Sequence, residues 1–180
     1  MFRRVIACVV LCGTTLAVAP INARAETGGG TDATTRTALG QIAAGDRHTC
    51  IVVNERVACW GNNGRYQLGD GTSADRNMAT YVPGVTNVEQ VAASERNTCA
   101  LVNGGSIKCW GDNTYGQLGN GTAGSGGFTL ATVCAVGGCG SGTLTGATHL
   151  SLGFGFGCAI LADSTVACWG TNLTNQIGSA

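Results

Sequence analysis

The chain has 180 residues, with ten basic and ten acidic side chains, 30 glycines and only two prolines. With 11% charged residues and no basic cluster it lacks the electrostatic footprint of a nucleic-acid binder, and no aromatic–basic interleaving marks a single-strand groove. The length suffices for one domain with a core of its own.

The first 25 residues read as a secretory signal peptide. "MFRR" is a basic start, "VIACVVLCGTTLAVA" an apolar run, and "ARA" (Ala23–Ala25) a small-residue end that places cleavage before Glu26. The run is too short, and too broken by Gly and Thr, for a membrane span. A retained anchor is the competing reading. A lipoprotein anchor fits worse, because Cys8 comes too early and Leu11 precedes Cys12 where a small residue is wanted. Removing Arg3, Arg4 and Arg24 leaves seven basic against ten acidic residues. Residues 26–40, opening "ETGGGTDATTRTA", read as a flexible polar leader.

From residue 41 the chain repeats itself in units of about 41–89, 90–148 and 149–180. Each unit opens on an apolar strand pattern ("QIAAGDRHTC", "QVAASERNTC", "HLSLGFGFGC"), continues with a hairpin and a "CWG" triplet, and ends in a Gly/Asn-rich tail. Strands are predicted at about 41–44, 49–53, 57–60 and 79–83, with equivalents downstream. Folding "IVVNERVA" about Asn54–Glu55 sets Val53 opposite Arg56, Val52 opposite Val57 and Cys50 opposite Cys59. The hairpins "ALVNGGSIK" and "AILADSTVA" are one residue longer, so their turns must be odd-numbered or bulged. The triplets start at residues 59, 109 and 168, and the longer second period places an insertion in 123–147, expected to be a loop with its own cysteine staple.

Trp60, Trp110 and Trp169 recur at one position per unit, which favours packing over carbohydrate stacking. Gly61, Gly111 and Gly170 follow them; Gly69, Gly119 and Gly178 follow "QL" or "QI". Fixed offsets of this kind mark turns that need positive φ or close backbone approach. Val57, Ile107 and Val166 share a strand face with Cys59, Cys109 and Cys168, and the tryptophans lie on the other, so both faces are largely apolar.

Eight cysteines remain after the signal peptide, and their spacing pairs Cys50 with Cys59, Cys99 with Cys109, and Cys158 with Cys168 across the hairpins. Opposed residues at a non-hydrogen-bonded site lie within reach of a disulfide. Closing a loop of about ten residues contributes ~2.5–3 kcal/mol in the chain-entropy model. Cys134 and Cys139 in "CAVGGC" form the fourth pair, closing a very tight loop. Zinc is the rival reading, weakened by the lack of C-x-x-C and by having only His48 and His149.

No catalytic constellation assembles, and no cofactor is implied. Asp46, Glu55, Asp75 and Glu95 sit beside Arg or Asn in turn segments and read as solvated surface groups. Nothing pairs either histidine with a nucleophile. "LGDGT" and "LGNGT" are similar to calcium-binding glycine/aspartate turns, but only one carries a carboxylate. Asn120 and Asn172 head glycosylation sequons.

"VACWGNNGRYQLGDGT", "IKCWGDNTYGQLGNGT" and "ACWGTNLTNQIG" resemble the regulator of chromosome condensation repeat family. The flanking cysteines resemble its exported bacterial branch, to which the secreted type II β-lactamase inhibitor belongs. The resemblance implies an all-β seven-bladed propeller of four-stranded antiparallel blades, acting through loops presented to a protein partner. Tyr66 and Asn175 stand where the pattern has Gly, and Ile177 where it has Leu. Three repeats predict an open arc whose outer sheets expose Val, Ile and Trp, a surface that favours self-association. The expected function is therefore an exported, non-catalytic protein-binding scaffold in the periplasm or outside the cell. Guanine-nucleotide exchange on a GTPase, the archetype's activity, is the alternative, and a wall- or glycan-binding module is a weaker one. N-terminal sequencing of the exported product should begin at Glu26; a membrane-held product retaining Met1 would refute the signal-peptide reading.

Overall fold

The structure, a computed structural model, describes residues 6–12, 15–21, 41–124 and 128–178. The leader expected at 26–40 and the expected cleavage position lie outside the described residues. Two compact units divide the chain, residues 1–35 and 36–180. In the first, β1 (Ile6–Cys12) and β2 (Thr15–Ile21) pair antiparallel with Ile6 opposite Ile21. No helix among the described residues is long and apolar enough to cross a membrane.

The second unit holds three antiparallel sheets, one per repeat. The first orders β3 (Ile42–Ala44), β4 (His48–Val53), β5 (Arg56–Gly61) and β6 (Arg76–Tyr81). The second orders β7 (Val88–Ala93), β8 (Asn97–Val102), β9 (Ser106–Gly111) and β10 (Ala131–Thr132). The third has three strands, β11 (Ala147–Gly153), β12 (Phe156–Leu161) and β13 (Val166–Gly170).

The hairpin registers follow from the turns. Asn54 and Glu55 both take positive φ, 49° and 58°, as a two-residue type I′ turn requires, and Cys50 lies opposite Cys59. The second and third hairpins turn through the three-residue segments 103–105 and 162–164, which keeps Cys99 opposite Cys109 and Cys158 opposite Cys168. All three pairs are disulfides with Cα atoms 4.1 Å apart, and Cys134–Cys139 is the fourth, at 4.7 Å.

The insertion differs from the expected plain loop. Ala131 and Thr132 pair with Cys109 and Lys108 as the outer strand of the second sheet. Val82 donates to Val57 and Val133 to Ile107, so these two valines are equivalent. Two residues then separate Val82 from Val85, but ten separate Val133 from Leu144. The extra chain is thus concentrated in 134–143, where the Cys134–Cys139 bond and a 3₁₀ turn at Cys139–Ser141 hold it.

The sheets stack face to face as adjacent blades. Cys50, Val52, Val57 and Cys59, on the rear face of the first, pack with Ala100, Val102 and Trp110 of the second. Cys99, Leu101, Ile107 and Cys109 in turn pack with Ala159 and Trp169 of the third. The Cys50–Cys59 and Cys99–Cys109 disulfides therefore belong to the cores that also hold the next blade's tryptophan. On the rear face of the third blade this burial stops. Ile160 and Val166 are 46% and 63% exposed, whereas their equivalents are buried, Val52 and Val57 in the first blade and Leu101 and Ile107 in the second. Trp60, on the front of the first blade, is half-buried, while Trp110 and Trp169 are buried.

A repeated lock fixes each junction. Trp110 Nε1 donates to the Gln67 carbonyl and Trp169 Nε1 to the Gln117 carbonyl, both at 3.0 Å. Each indole lies over the glycine two residues on. A Cβ at Gly69 would sit 2.6 Å from Trp110, and one at Gly119 would sit 2.7 Å from Trp169. Gly71, in the same turn as Gly69, also has positive φ but faces open space. Gly71→Ala should therefore cost only the left-handed backbone penalty, about 1 kcal/mol. Gly69→Ala adds the overpacking and should cost about 3 kcal/mol or more in urea denaturation. Equal losses would mean the indole seat is not a close-packed junction.

Candidate protein-binding face

The loops at one end of the strands form a continuous face. Gly45–Arg47 joins β3 to β4, Ser94–Arg96 joins β7 to β8, and Phe154–Gly155 joins β11 to β12. Between them rise the tails that follow β5 and β9. Backbone bonds stitch loop to tail: Asn62 N to Arg47 O, Asp112 N to Arg96 O, and Thr171 N to Gly155 O. Gly61, Gly111 and Gly170 permit this approach, because a Cβ at any of them would strike the loop carbonyl beside it.

The tails fold alike because an Asn and a Gln brace them from inside. Asn63 Oδ1 accepts from Leu68 N, Asn113 Oδ1 from Leu118 N, and Asn172 Oδ1 from Ile177 N, at 3.0–3.1 Å. Gln67, Gln117 and Gln176 each accept through Oε1 from the backbone two residues back, all at 2.8 Å. Tyr66 (φ 63°), Gly116 (78°) and Asn175 (61°) take the same left-handed conformation, so the two departures from Gly keep the turn. "LGDGT" is a brace of the same kind. Asp70 Oδ1 accepts from Thr72 N and Oγ1 and from Asn63 Nδ2, while Oδ2 takes Arg76 Nε at 2.6 Å. Burial opposes the Asp70 charge, but the bonds from Arg76, Thr72 and Asn63 outweigh it and hold the carboxyl below its usual range. Asn120 caps Thr122 in the same way without a charge.

What the face offers to solvent is mixed charge and aromatic surface. Asp46 pairs with Arg47 at 3.3 Å and Glu95 with Arg96 at 3.1 Å, and Arg65 stands exposed between them. A cleft of about 360 Å³ runs among Arg65, Glu95, Arg96, Thr114, Tyr115 and Phe154. Tyr115 and Phe154 are exposed, their ring centroids 6.4 Å apart. Asp75 is exposed, as expected of a solvated group, and also accepts from Asn63 N at 2.7 Å and from Asn62 Nδ2. Trp110 and Trp169 lie inside junctions, unavailable for stacking on a ligand. Cys134–Cys139 lines a second cleft, of about 660 Å³, together with Tyr115, Val133, Leu144, Val166 and Trp169.

The two histidines part company. His149 is exposed, but His48 is buried in the junction below the face. Thr98 has one hydroxyl proton and gives it to the Gln67 carbonyl at 2.8 Å. The 2.8 Å contact from His48 Nε2 is therefore an N–H donated to Thr98 Oγ1, leaving Nδ1 as the unprotonated nitrogen. Nδ1 is buried without a partner among the described residues. Sequence reading missed this chain of bonds, as it links residues fifty apart.

Burial pushes the His48 pKa down to about 4, against a smaller opposing pull from Asp46. A lowered folded pKa means the unfolded chain binds the extra proton, so stability is complete above about pH 6.5 and falls as pH drops toward 4. The full loss is about 3 kcal/mol. Urea denaturation at about pH 7 and about pH 4.5 should show most of it. The slope between these should flatten in His48→Asn, which installs the residue found at position 97; an unchanged slope would place the titrating group elsewhere.

Residues 41–67 and 88–117 match a family model described as "Regulator of chromosome condensation (RCC1) repeat", and residues 55–101 match a second model of the same description. No curated protein matches the chain. Among solved structures, yeast RCC1 (Prp20) bound to Kap60 is similar at TM-score 0.67 and 16% identity, over 96% of this chain and 38% of that one. Prp20p from Saccharomyces cerevisiae, in a structure whose study also treats binding to Gsp1p and histones, is similar at 0.62 and 24% identity, over 78% and 32%. Human WBSCR16 is similar at 0.64 and 21% identity, over 78% and 36%. The chain thus spans about a third of the length of these proteins. The matched repeats and the shared blade architecture together support the regulator of chromosome condensation (RCC1) repeat family for this chain.

Proposed function

We propose that the chain is an exported, non-catalytic protein-binding scaffold that engages its partner through the loop face. The observation that carries this reading is the Tyr115–Phe154 pair beside Arg65 and the Asp46–Arg47 and Glu95–Arg96 pairs. Tyr, Phe and Arg are the side chains enriched at protein interfaces, and alternating charge gives register with a partner. Export is supported by the targeting-type first 25 residues and by four disulfides, which persist in oxidising compartments. The cysteine-flanked hairpins also support kinship with the exported bacterial branch that includes the type II β-lactamase inhibitor.

Nucleotide exchange is the second reading, favoured by the likeness to yeast RCC1. An oxidising compartment counts against it, since small GTPases are cytosolic. Glycan binding is left with Trp60 alone among the tryptophans. The two end blades, uncovered on their outer faces, also suit self-association.

Photo-cross-linking in the exporting cell tests the assignment of the face. A photoreactive side chain at position 115 or 154 should yield a covalent adduct with another protein. One at position 103 or 164, in the hairpin turns at the opposite strand ends, should not. Adducts from the hairpin turns alone, or accelerated nucleotide release from a GTPase by the purified chain, would overturn the proposal.

A further inference from the structure

The two ends of the blade stack carry the two halves of the lock that holds its interior. The tail of the third unit is built like those of the first two. Gly178 N bonds to Asn175 O at 3.1 Å, as Gly69 N bonds to Tyr66 O and Gly119 N to Gly116 O. Gly178 has φ 75°, against 69° and 65° for Gly69 and Gly119. Over Gly69 and Gly119 lies an indole, yet a Cβ at Gly178 would meet nothing within 4 Å. The turn that seats an indole is thus formed at Gly178, and among the described residues no indole lies over it.

The missing indole is matched at the other end. Trp60 lies opposite Thr49, as Trp110 lies opposite Thr98. In the first junction Thr98 Oγ1 and Trp110 Nε1 both donate to one carbonyl, that of Gln67. Neither Trp60 Nε1 nor Thr49 Oγ1 has a hydrogen-bond partner among the described residues, and both side chains are half-buried. Around the Gly178 seat, Ile160 and Val166 present the apolar surface that Val52 and Val57 present to the second blade.

We propose that this chain associates head to tail with a second copy of itself. Trp60 of one copy lies over Gly178 of the other, with its Nε1–H and the Thr49 hydroxyl donating to the Gln176 carbonyl. The occupant is a second copy because the required parts, a Trp–Thr donor pair on an apolar sheet and a Gln–Gly turn with Ile and Val beside it, are both present on this one chain and unpaired among its described residues. Such an interface is heterologous, and it avoids open growth only if the rotation closes. Two three-blade arcs bring six blades, inside the range of about four to eight in which propellers close. A closed dimer would bury both ends at once.

This extends the self-association reading above and is separable from the loop-face reading, since the variants below leave Tyr115 and Phe154 in place. Sedimentation velocity of the oxidised, exported chain at micromolar concentration should show a dimer. Trp60→Ala should weaken it by at least about tenfold. Gly178→Asn should do the same, because Asn tolerates the left-handed conformation but its Cβ fills the indole seat. Gly71→Asn, a left-handed turn glycine facing open space, should leave the dimer intact. Mixing Trp60→Ala with Gly178→Asn should recover a single-junction dimer, because each retains one intact half. A wild-type monomer, or a dimer insensitive to both lock variants, would overturn the proposal.

Discussion

Everything in the blade stack depends on one carbonyl oxygen per junction. Gln67 O holds the Trp110 indole and the Thr98 hydroxyl, and Gln117 O holds the Trp169 indole. A buried carbonyl left unpaired is costly, and so is a buried indole N–H, so each satisfies the other only when the blades meet in one register. The glycine two residues on must lack a Cβ for the ring to reach that oxygen. The repeated "QLG" and "CWG" are therefore two sides of one contact rather than separate turn and core signals. The loop face inherits its geometry from this contact, because the same tails that carry the glutamines carry Arg65, Thr114 and Tyr115.

The second junction shows how the lock tolerates change. Where the first has Thr98, the second has Gly157, and a Cβ there would collide with Trp169. No hydroxyl is then available to the residue equivalent to His48. That residue is Asn97, whose Nδ2 is buried and unpartnered while its Oδ1 accepts from Ser94. The two orphaned side-chain nitrogens among the described residues, His48 Nδ1 and Asn97 Nδ2, thus occupy one structural position in successive blades. They mark where neighbouring repeats have drifted in sequence without changing the backbone.

Local features were legible in the sequence because their partners lie close along the chain. The Asn54–Glu55 turn, the odd-numbered turns of the longer hairpins and the cysteine pairs all follow from counting across a hairpin. The exposed Ile160 and Val166 followed from the count of blades. The insertion was harder. "TLATV" reads as a loop within its Gly-rich surroundings, and only pairing with Cys109 and Lys108 makes Ala131–Thr132 a strand. Asn63, Gln67 and their equivalents were visible as pattern letters but not as braces, since their bonds appear only once the tail has curled. The His48–Thr98–Gln67 chain was illegible because it joins two units through groups with no shared motif.

Every disulfide among the described residues is short-range, spanning five to ten residues. Eight cysteines admit 105 complete connectivities. Each cysteine nevertheless has one favoured partner, because a hairpin that closes in microseconds holds it at high effective concentration beside the thiol on the opposite strand. Pairing is thus a matter of local geometry, and each hairpin staple joins residues of one hairpin without calling on a neighbouring blade.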